Sequence, residues 1–485
     1  MKISSEVARH KTAISRPDLS RPIKFALSDE ILTQDTPVFD YGCGRGDDLM
    51  RLQALGFKAS GWDPVHRSDA PLISSPVVNL GYVVNVIEDR RERQETLKRA
   101  CSLSEKVLIV SARLELEAKG IGETAAFGDG YLTSLGTFQK FFDQQELKNW
   151  IDQTLDTSSL PAGPGVFYVF RREEDRTSFL ASQYRRRSIT PRLVYSAELF
   201  SQHEELLRPL MDLVSARGRI PADEEVVNAA EIKNVFGSLK RAFWVCEKVT
   251  GKAQWEEIAE SHAQDLLIYL ALSRFDRRPI FSHLPRDLQL DVKGFFPSYS
   301  AACKKADELL FSIGNQASLD KACSTSEIGK VTPPAFYIHE SGLEHLSPVL
   351  RLFEGCARGY IGRVSEANLI KLHRQEPKVS YLGYPDFETD PHPALAFSLT
   401  VHFQTFRVKF QDYRSNRNPP ILHRKETFLH PSHPLYEKFS RLTRIEEKKN
   451  LYENPSLIGT RDGWEKVLAE KKLYFRGHRL FTKKE

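Results

Sequence analysis

From Val38 to Asp47 the chain reads V-F-D-Y-G-C-G-R-G-D. Gly42, Gly44 and Gly46 lack the Cβ atoms that keep a ligand away from the backbone. Such a loop can turn sharply and present amide N–H groups at the head of a following helix. Asp40 stands just before the loop. Asp63 follows it by about twenty residues, where an acid ending a second strand can accept hydrogen bonds from both hydroxyls of a ribose. An adenosine-containing ligand is expected. A dinucleotide fingerprint, G-x-G-x-x-G, needs glycine at its sixth position, where this chain has Asp47, so a nicotinamide cofactor is disfavoured.

The surrounding pattern supplies elements to position these residues. Thr36–Tyr41 is a short apolar strand, and Asp47–Leu55 carries Leu49, Leu52 and Leu55 at helical spacing. Gly56–Asp63 then completes a βαβ unit. Pro76–Asn85 reads as the central strand and its exit, Glu88–Ala100 as a charged helix, and Lys106–Ser111 as the next buried strand. Asp143 suits the cap of a late helix, and Gly165–Arg171 a closing antiparallel strand, which ends the domain near residue 175. Little chain remains between Asp63 and Val77 for a third strand and helix. A second substrate entering above the strand ends would meet Tyr82 and Asn85, the two candidate catalytic residues, although packing and a helix cap would also suit them. The glycine-rich stretch Leu114–Leu135, with Gly120, Gly122, Gly128 and Gly130, suits a substrate lid or a surface excursion equally.

With 485 residues, 41% hydrophobic, the chain can bury several cores, and two or three domains are expected. A net charge of +5 is too mild to demand nucleic acid, so only local basic clusters could indicate it. The six cysteines are scattered without a C-x-x-C pair, and the histidines lack metal-ligand spacing. A cytoplasmic protein with neither disulfides nor metal is expected, and no apolar run reaches membrane-spanning length.

The predicted organisation is a Rossmann-like α/β domain over 1–175, a helical domain over 176–330 and an α+β domain over 331–485. In the helical part, R-G-R-I-P from Arg217 and F-G-S from Phe236 resemble small helical DNA-binding repeats. Arg217, Arg219, Lys233, Lys240 and Arg241 would then contact phosphates, unless they simply form a solvated face. Arg171-Arg172 and Arg185-Arg186-Arg187 add cations at the junction. In the last domain Asn418–Phe428 (N-P-P-I-L-H-R-K-E-T-F) mixes prolines, cations and an aromatic, and offers Arg424 and Lys425 as further DNA contacts.

The acid followed by G-x-G-x-G resembles motif I of class I methyltransferases. That resemblance implies S-adenosyl-L-methionine as cofactor, with Asp40 near its amino group and Gly42, Gly44, Gly46 and Asp63 around the rest. Thr137–Leu147 resembles the start of the last large helix in small-molecule enzymes of that class. Arg9–Ile14 (R-H-K-T-A-I), the glycine loop, Gly61–Pro64 (G-W-D-P) and Asn418–Phe428 together resemble the DNA-phosphorothioation-associated methyltransferases over nearly the whole chain. This implies a bacterial cytoplasmic protein acting on DNA within a modification, restriction and antiviral defence system, with other phosphorothioation proteins as partners. The Asp/Asn-Pro-Pro-aromatic motif of base amino-methyltransferases is absent after the central strand. Asn418-Pro419-Pro420-Ile421 lacks the aromatic and reads as a turn. A non-catalytic cofactor- and DNA-binding accessory subunit, or a methyltransferase for RNA or a small metabolite, therefore remain alternatives.

Overall fold

The computed structural model describes residues 7–13, 16, 18–120, 124–184 and 198–483. Ile14, Gly122 and the Arg185–Arg187 run lie outside the described residues. Contacts divide the chain into two compact units, one of Met1–Asp175, Ile328–Gly342 and Cys356–Glu485, the other of Arg176–Glu327 and Leu343–Gly355.

In the first unit, β1 (Val38–Tyr41), β2 (Ala59–Trp62), β3 (Ser75–Gly81) and β4 (Ser104–Ser111) run parallel. All four residues of β1 are buried, as a strand covered on both faces requires. The chain then forms a small antiparallel sheet, β5 (Thr124–Phe127), β6 (Gly130–Thr133) and β7 (Phe138–Gln139). It returns as β8 (Leu160–Gly163) and β9 (Val166–Phe170), giving the main sheet the order β2-β1-β3-β4-β9-β8. Helices α1 (Arg21–Ser28), α2 (Asp47–Ala54), α3 (Arg90–Leu103) and α4 (Gln144–Leu155) belong to the same region. Phe39, Val78, Leu80, Leu108, Val110, Phe142, Leu147 and Phe167 share one core with Leu97 of α3. Asp143 caps α4 in a reciprocal box with Glu146, as the sequence predicts, an arrangement typically contributing about 1 kcal/mol.

This topology fixes the position of a binding crevice. From β1 the chain crosses to β2 on one side and then to β3 on the other, so the carboxyl ends of β1 and β3 diverge at a switch point. After β2 there is only the bridge Asp63↔Arg67 before β3, and β2 is the sheet edge. The stretch expected as lid or excursion, Leu114–Leu135, holds a 3-10 turn at Glu115–Gly120 and the strands β5 and β6, which pair with β7 beyond it; Asp129 anchors it, its carboxylate receiving the buried Arg93 guanidinium at 2.9 Å.

The second unit is helical. Helices Glu198–Arg217, Ala229–Phe236 and Leu239–Thr250 surround a core of Leu207, Leu210, Ile232, Ala242 and Cys246. The F-G-S sequence is capping chemistry: Gly237 ends one helix at φ +80°, and Ser238 caps the next by accepting from Arg241 N at 3.2 Å.

The C-terminal part of the first unit is a six-stranded antiparallel meander in sequential order. Its strands are β10 (Lys330–Val331), β11 (Ala335–His339), β12 (Leu369–His373), β13 (Lys378–Gly383), β14 (Phe397–His402) and β15 (Arg407–Asp412). The N-P-P segment beyond it is structural. Asn418 Oδ1 accepts from Asp462 N at 2.9 Å, and Ile421 N donates to Gly459 O at 3.2 Å.

Candidate functional site

A cavity of about 570 Å³ opens at the switch point, lined by the glycine loop, both strand exits and part of the segment preceding α1. Gly42, Gly44 and Gly46 have φ of +84°, +54° and +84°, a left-handed run that side-chain-bearing residues rarely adopt. The loop is also crowded: a Cβ on Gly44 would lie 3.2 Å from Ala13 Cβ, and one on Gly46 would lie 2.7 Å from the Arg67 guanidinium.

Four carboxylates converge on this loop. Asp40, Asp47, Asp48 and Asp63 all line the cavity. Asp40 is buried and accepts from Asn79 Nδ2 at 2.8 Å. Burial first, then the charge of Asp48, pushes its carboxyl up to about 7, against the stabilising hydrogen bond from Asn79 and the charge of Arg16. Asn79 Oδ1 is buried with no partner among the described residues. Asp47 and Asp48 open α2, where the helix dipole favours negative charge. They also tie down the preceding segment: Asp47 Oδ2 accepts from Arg16 N at 2.7 Å, and Asp48 Oδ1 from Ser20 N at 2.8 Å.

Asp63 differs from its expected role in one respect. Its Oδ2 accepts from Gly44 N at 3.0 Å, and its Oδ1 accepts from Val65 N at 2.9 Å and His66 N at 2.8 Å. A carboxylate has about four lone-pair sites, so one remains for a ribose hydroxyl rather than two. Asp63 holds the glycine loop as well as facing the cavity.

On the acceptor side, Tyr82 sits at φ +60°, a left-handed position for a bulky residue. Its N–H is shared between Ser111 O at 3.0 Å and Ser111 Oγ at 3.1 Å. The Arg16 guanidinium lies 5.3 Å from its ring centre. Asn85 is buried, and its Nδ2 donates to Gln139 Oε1 of β7 at 3.1 Å, which leaves Asn85 Oδ1 in the cavity wall without a partner among the described residues. The structure therefore brings Asp40, Gly42, Gly44, Asp63, Tyr82 and Asn85 to one cavity, with Gly46 behind the loop heading α2, and adds Asn79, Asp48, Arg16 and Gln139. Cys43 also lines it, but burial and then Asp40 push its thiol up to about 12, far from a reactive thiolate.

The basic residues expected at DNA do not form one group. Arg219 is buried, donating to Asp291 Oδ1 at 2.7 Å and to Glu225 at 2.7 and 2.9 Å. Lys425 is buried too, with its ammonium donating to Phe387 O at 2.7 Å and Asp390 O at 2.5 Å and lying 3.9 Å from the Phe439 ring centre. Both expectations are corrected: a phosphate contact must face solvent, and these cations are already satisfied inside. Arg217 pairs with Asp287 at 3.3 Å, Lys233 pairs with Asp223, and Arg424 pairs with Glu447 at 2.7 Å. Lys240 and Arg241 are exposed. Among the described residues there is no helix long and apolar enough to cross a membrane and no metal-binding cluster of acidic, histidine or cysteine residues.

No protein-family model and no curated protein matches this sequence. Among solved structures it is similar to magnesium protoporphyrin IX methyltransferase of Synechocystis PCC 6803 with bound SAH, at 13% identity and TM-score 0.23, over 34% of this chain and 93% of that one. It is also similar to a SAM-bound amino pentose methyltransferase of Micromonospora echinaspora, at 14% identity and TM-score 0.25, over 31% of this chain and 90% of that one. A third is the 1,6-didemethyltoxoflavin-N1-methyltransferase of Burkholderia thailandensis, at 12% identity and TM-score 0.23, over 34% of this chain and 79% of that one. At these identities and scores the assignment of the cavity rests on its own geometry.

Proposed function

We propose that the cavity binds S-adenosyl-L-methionine and that the chain is a methyltransferase acting on DNA, in association with a phosphorothioation modification and defence system. The observation that carries the cofactor is the convergence of Asp40, Asp47, Asp48 and Asp63 on a glycine loop at the switch point. Arg9, Arg16, Arg45, Arg99 and Arg113 also line the cavity, but a pyrophosphate placed against the glycine loop would meet the four carboxylates there. A donor carrying an ammonium and a sulfonium would be attracted by them. The buried Asn79 Oδ1 beside Asp40 lacks a hydrogen-bond donor, which such an ammonium would provide.

The cofactor supplies an electrophilic methyl group, so the protein's share of catalysis is chiefly alignment and exclusion of water. Asp40 and Asn79 would hold the amino group, Asp63 one ribose hydroxyl, and the loop amides the remaining polar atoms. Asn85 Oδ1, fixed by the hydrogen bond its Nδ2 donates to Gln139, would accept an N–H or O–H from the nucleophile and orient its lone pair. Tyr82 forms the adjoining wall. The DNA acceptor comes from the likeness of the glycine loop, G-W-D-P and the Asn418–Phe428 segment to the phosphorothioation-associated family.

Transfer of tritium from labelled S-adenosylmethionine to duplex DNA, with RNA and a small-molecule extract in parallel, tests this reading. Label in DNA is expected. Label only in RNA or a small molecule would replace the acceptor, and cofactor binding without transfer to any of them would favour the accessory-subunit alternative.

A further inference from the structure

One face of the C-terminal sheet carries almost only positive charge; its β10–β11 end is covered, with Lys330 and Tyr337 packed on the Phe428 ring, and its open part runs from β12 to β15. Cross-strand register places Lys330, Tyr337, Lys371, Ser380, Thr400 and Lys409 in a single row across all six strands. Directly opposed residues share a face, and the next row on that face contains His373, Lys378, His402 and Arg407. Neither row contains a carboxylate. Glu376, in the turn before β13, pairs with Lys378, while Lys371, Arg407 and Lys409 have no ion pair among the described residues.

An outward sheet face is ordinarily polar with charges of both signs. This one is single-signed and interleaved with small hydrogen-bonding groups: His373 Nε2 lies 2.9 Å from Ser380 Oγ, which lies 2.8 Å from Thr400 Oγ1. Burial, then Lys371 and Lys378, hold the His373 imidazole down to about 4, consistent with cations crowding it. With strands about 4.8 Å apart, Lys371 and Lys409 bracket a strip of roughly 14 Å. The apolar residues of the neighbouring row, Leu369 and Leu382, are already packed against Phe387, Phe428 and Phe439, leaving no apolar side chain in that row to enter lipid.

We infer that this face docks the phosphate backbone of a nucleic acid, with Lys371, Lys409 and Arg407 as the principal contacts and without base readout. Such contacts are sequence-independent and strongly salt-dependent. The inference shares its partner with the reading above but not the cofactor, so the two can fail separately.

The test measures binding of the full chain to a labelled 20-base-pair DNA duplex, its single strand and the matching RNA, over a salt series. Phosphatidylglycerol vesicles and polyglutamate serve as competing polyanions. The doubly substituted Lys371→Glu, Lys409→Glu protein should bind nucleic acid at least tenfold more weakly, with a log–log salt slope smaller by about two. Lys371→Arg with Lys409→Arg should bind as the parent does. So should Lys466→Glu, on the helix Arg461–Glu470, outside both rows of the sheet. Unchanged thermal melting and circular dichroism in every variant report intact folding without reference to the cofactor, and S-adenosylhomocysteine binding reports the separate state of the cofactor site. Equal nucleic-acid binding by the charge-reversed variant would overturn the inference. So would binding to vesicles or polyglutamate as tight as to DNA and RNA, or no binding to any nucleic acid at low salt.

Discussion

Asn79 donates one amide hydrogen to Asp40 at 2.8 Å and keeps its own carbonyl oxygen buried and unpaired beside it. The pair sets two side-chain oxygens side by side on adjacent parallel strands, in the register Asp40↔Asn79.

The elevated Asp40 carboxyl makes cofactor affinity pH-dependent. Its pKa is near 7 without ligand, and an ammonium favours the ionised form. Affinity should therefore fall up to tenfold per unit as pH drops below 7, and level off above it. Asp40→Asn should bind more weakly at pH 8 and show a flat profile. Calorimetry from pH 5.5 to 8.5 checks both, and a parent profile that is itself flat would exclude Asp40 from the site.

The same group affects stability with the opposite sense. A carboxyl whose folded pKa exceeds its unfolded value of about 3.9 favours folding fully only below that value. The contribution is lost as pH rises toward 7. Without ligand, Asp40→Asn should melt at a higher temperature than the parent at pH 8 and by a clearly smaller margin at pH 5. Thermal melts at the two pH values read the difference directly.

Asp63→Ala removes an acceptor for the cofactor and the tether of Gly44 N. Losing a charged hydrogen-bond acceptor costs on the order of 1.5–3 kcal/mol, so cofactor affinity should fall at least tenfold. Unchanged affinity by calorimetry would mean that Asp63 serves only the loop.

Asn85→Ala should leave cofactor affinity within twofold of the parent and lower the rate of label transfer by ten- to a hundredfold. Gln139→Ala should do the same more mildly, because Gln139 acts through Asn85. Single-turnover transfer alongside cofactor titration separates the two effects, and a loss of cofactor affinity matching the loss of rate would place Asn85 at the donor instead.

Lys425→Ala should act on folding. It strands the carbonyls of Phe387 and Asp390 in the interior and empties the space beside Phe439. A loss of about 2–4 kcal/mol is expected from such a change. Denaturant titration should show it, whereas a stable variant with weakened DNA binding would restore the surface role expected from sequence.

What the sequence revealed follows from the range of the interactions involved. The glycine loop, Asp40, Asp63 and the alternating strands and helices are local, because left-handed turns need glycine and buried parallel strands need continuous apolar runs. Asn79 left a readable trace as the lone amide in the apolar strand P-V-V-N-L-G. Its partnership with Asp40, however, depends on β1 and β3 being neighbours, which spacing alone does not specify. Gln139 and Asn85 meet across 54 positions, through the two-residue strand β7, in the Thr137–Leu147 segment whose likeness is to the start of a helix. Arg219 and Lys425 were misread because a basic residue in a loop looks the same in sequence whether it faces water or three buried acceptors. The basic row on β10–β15 was missed for the complementary reason: its lysines are far apart in sequence, and only register aligns them.

Titration of the full chain at pH 8 with S-adenosylhomocysteine and, separately, with NAD tests the central claim most directly. Saturable binding of S-adenosylhomocysteine at one site, weakened by Asp63→Ala, with no binding of NAD, is the predicted result. Binding of NAD in preference to S-adenosylhomocysteine would show that the four carboxylates around Gly42, Gly44 and Gly46 do not select a cationic methyl donor.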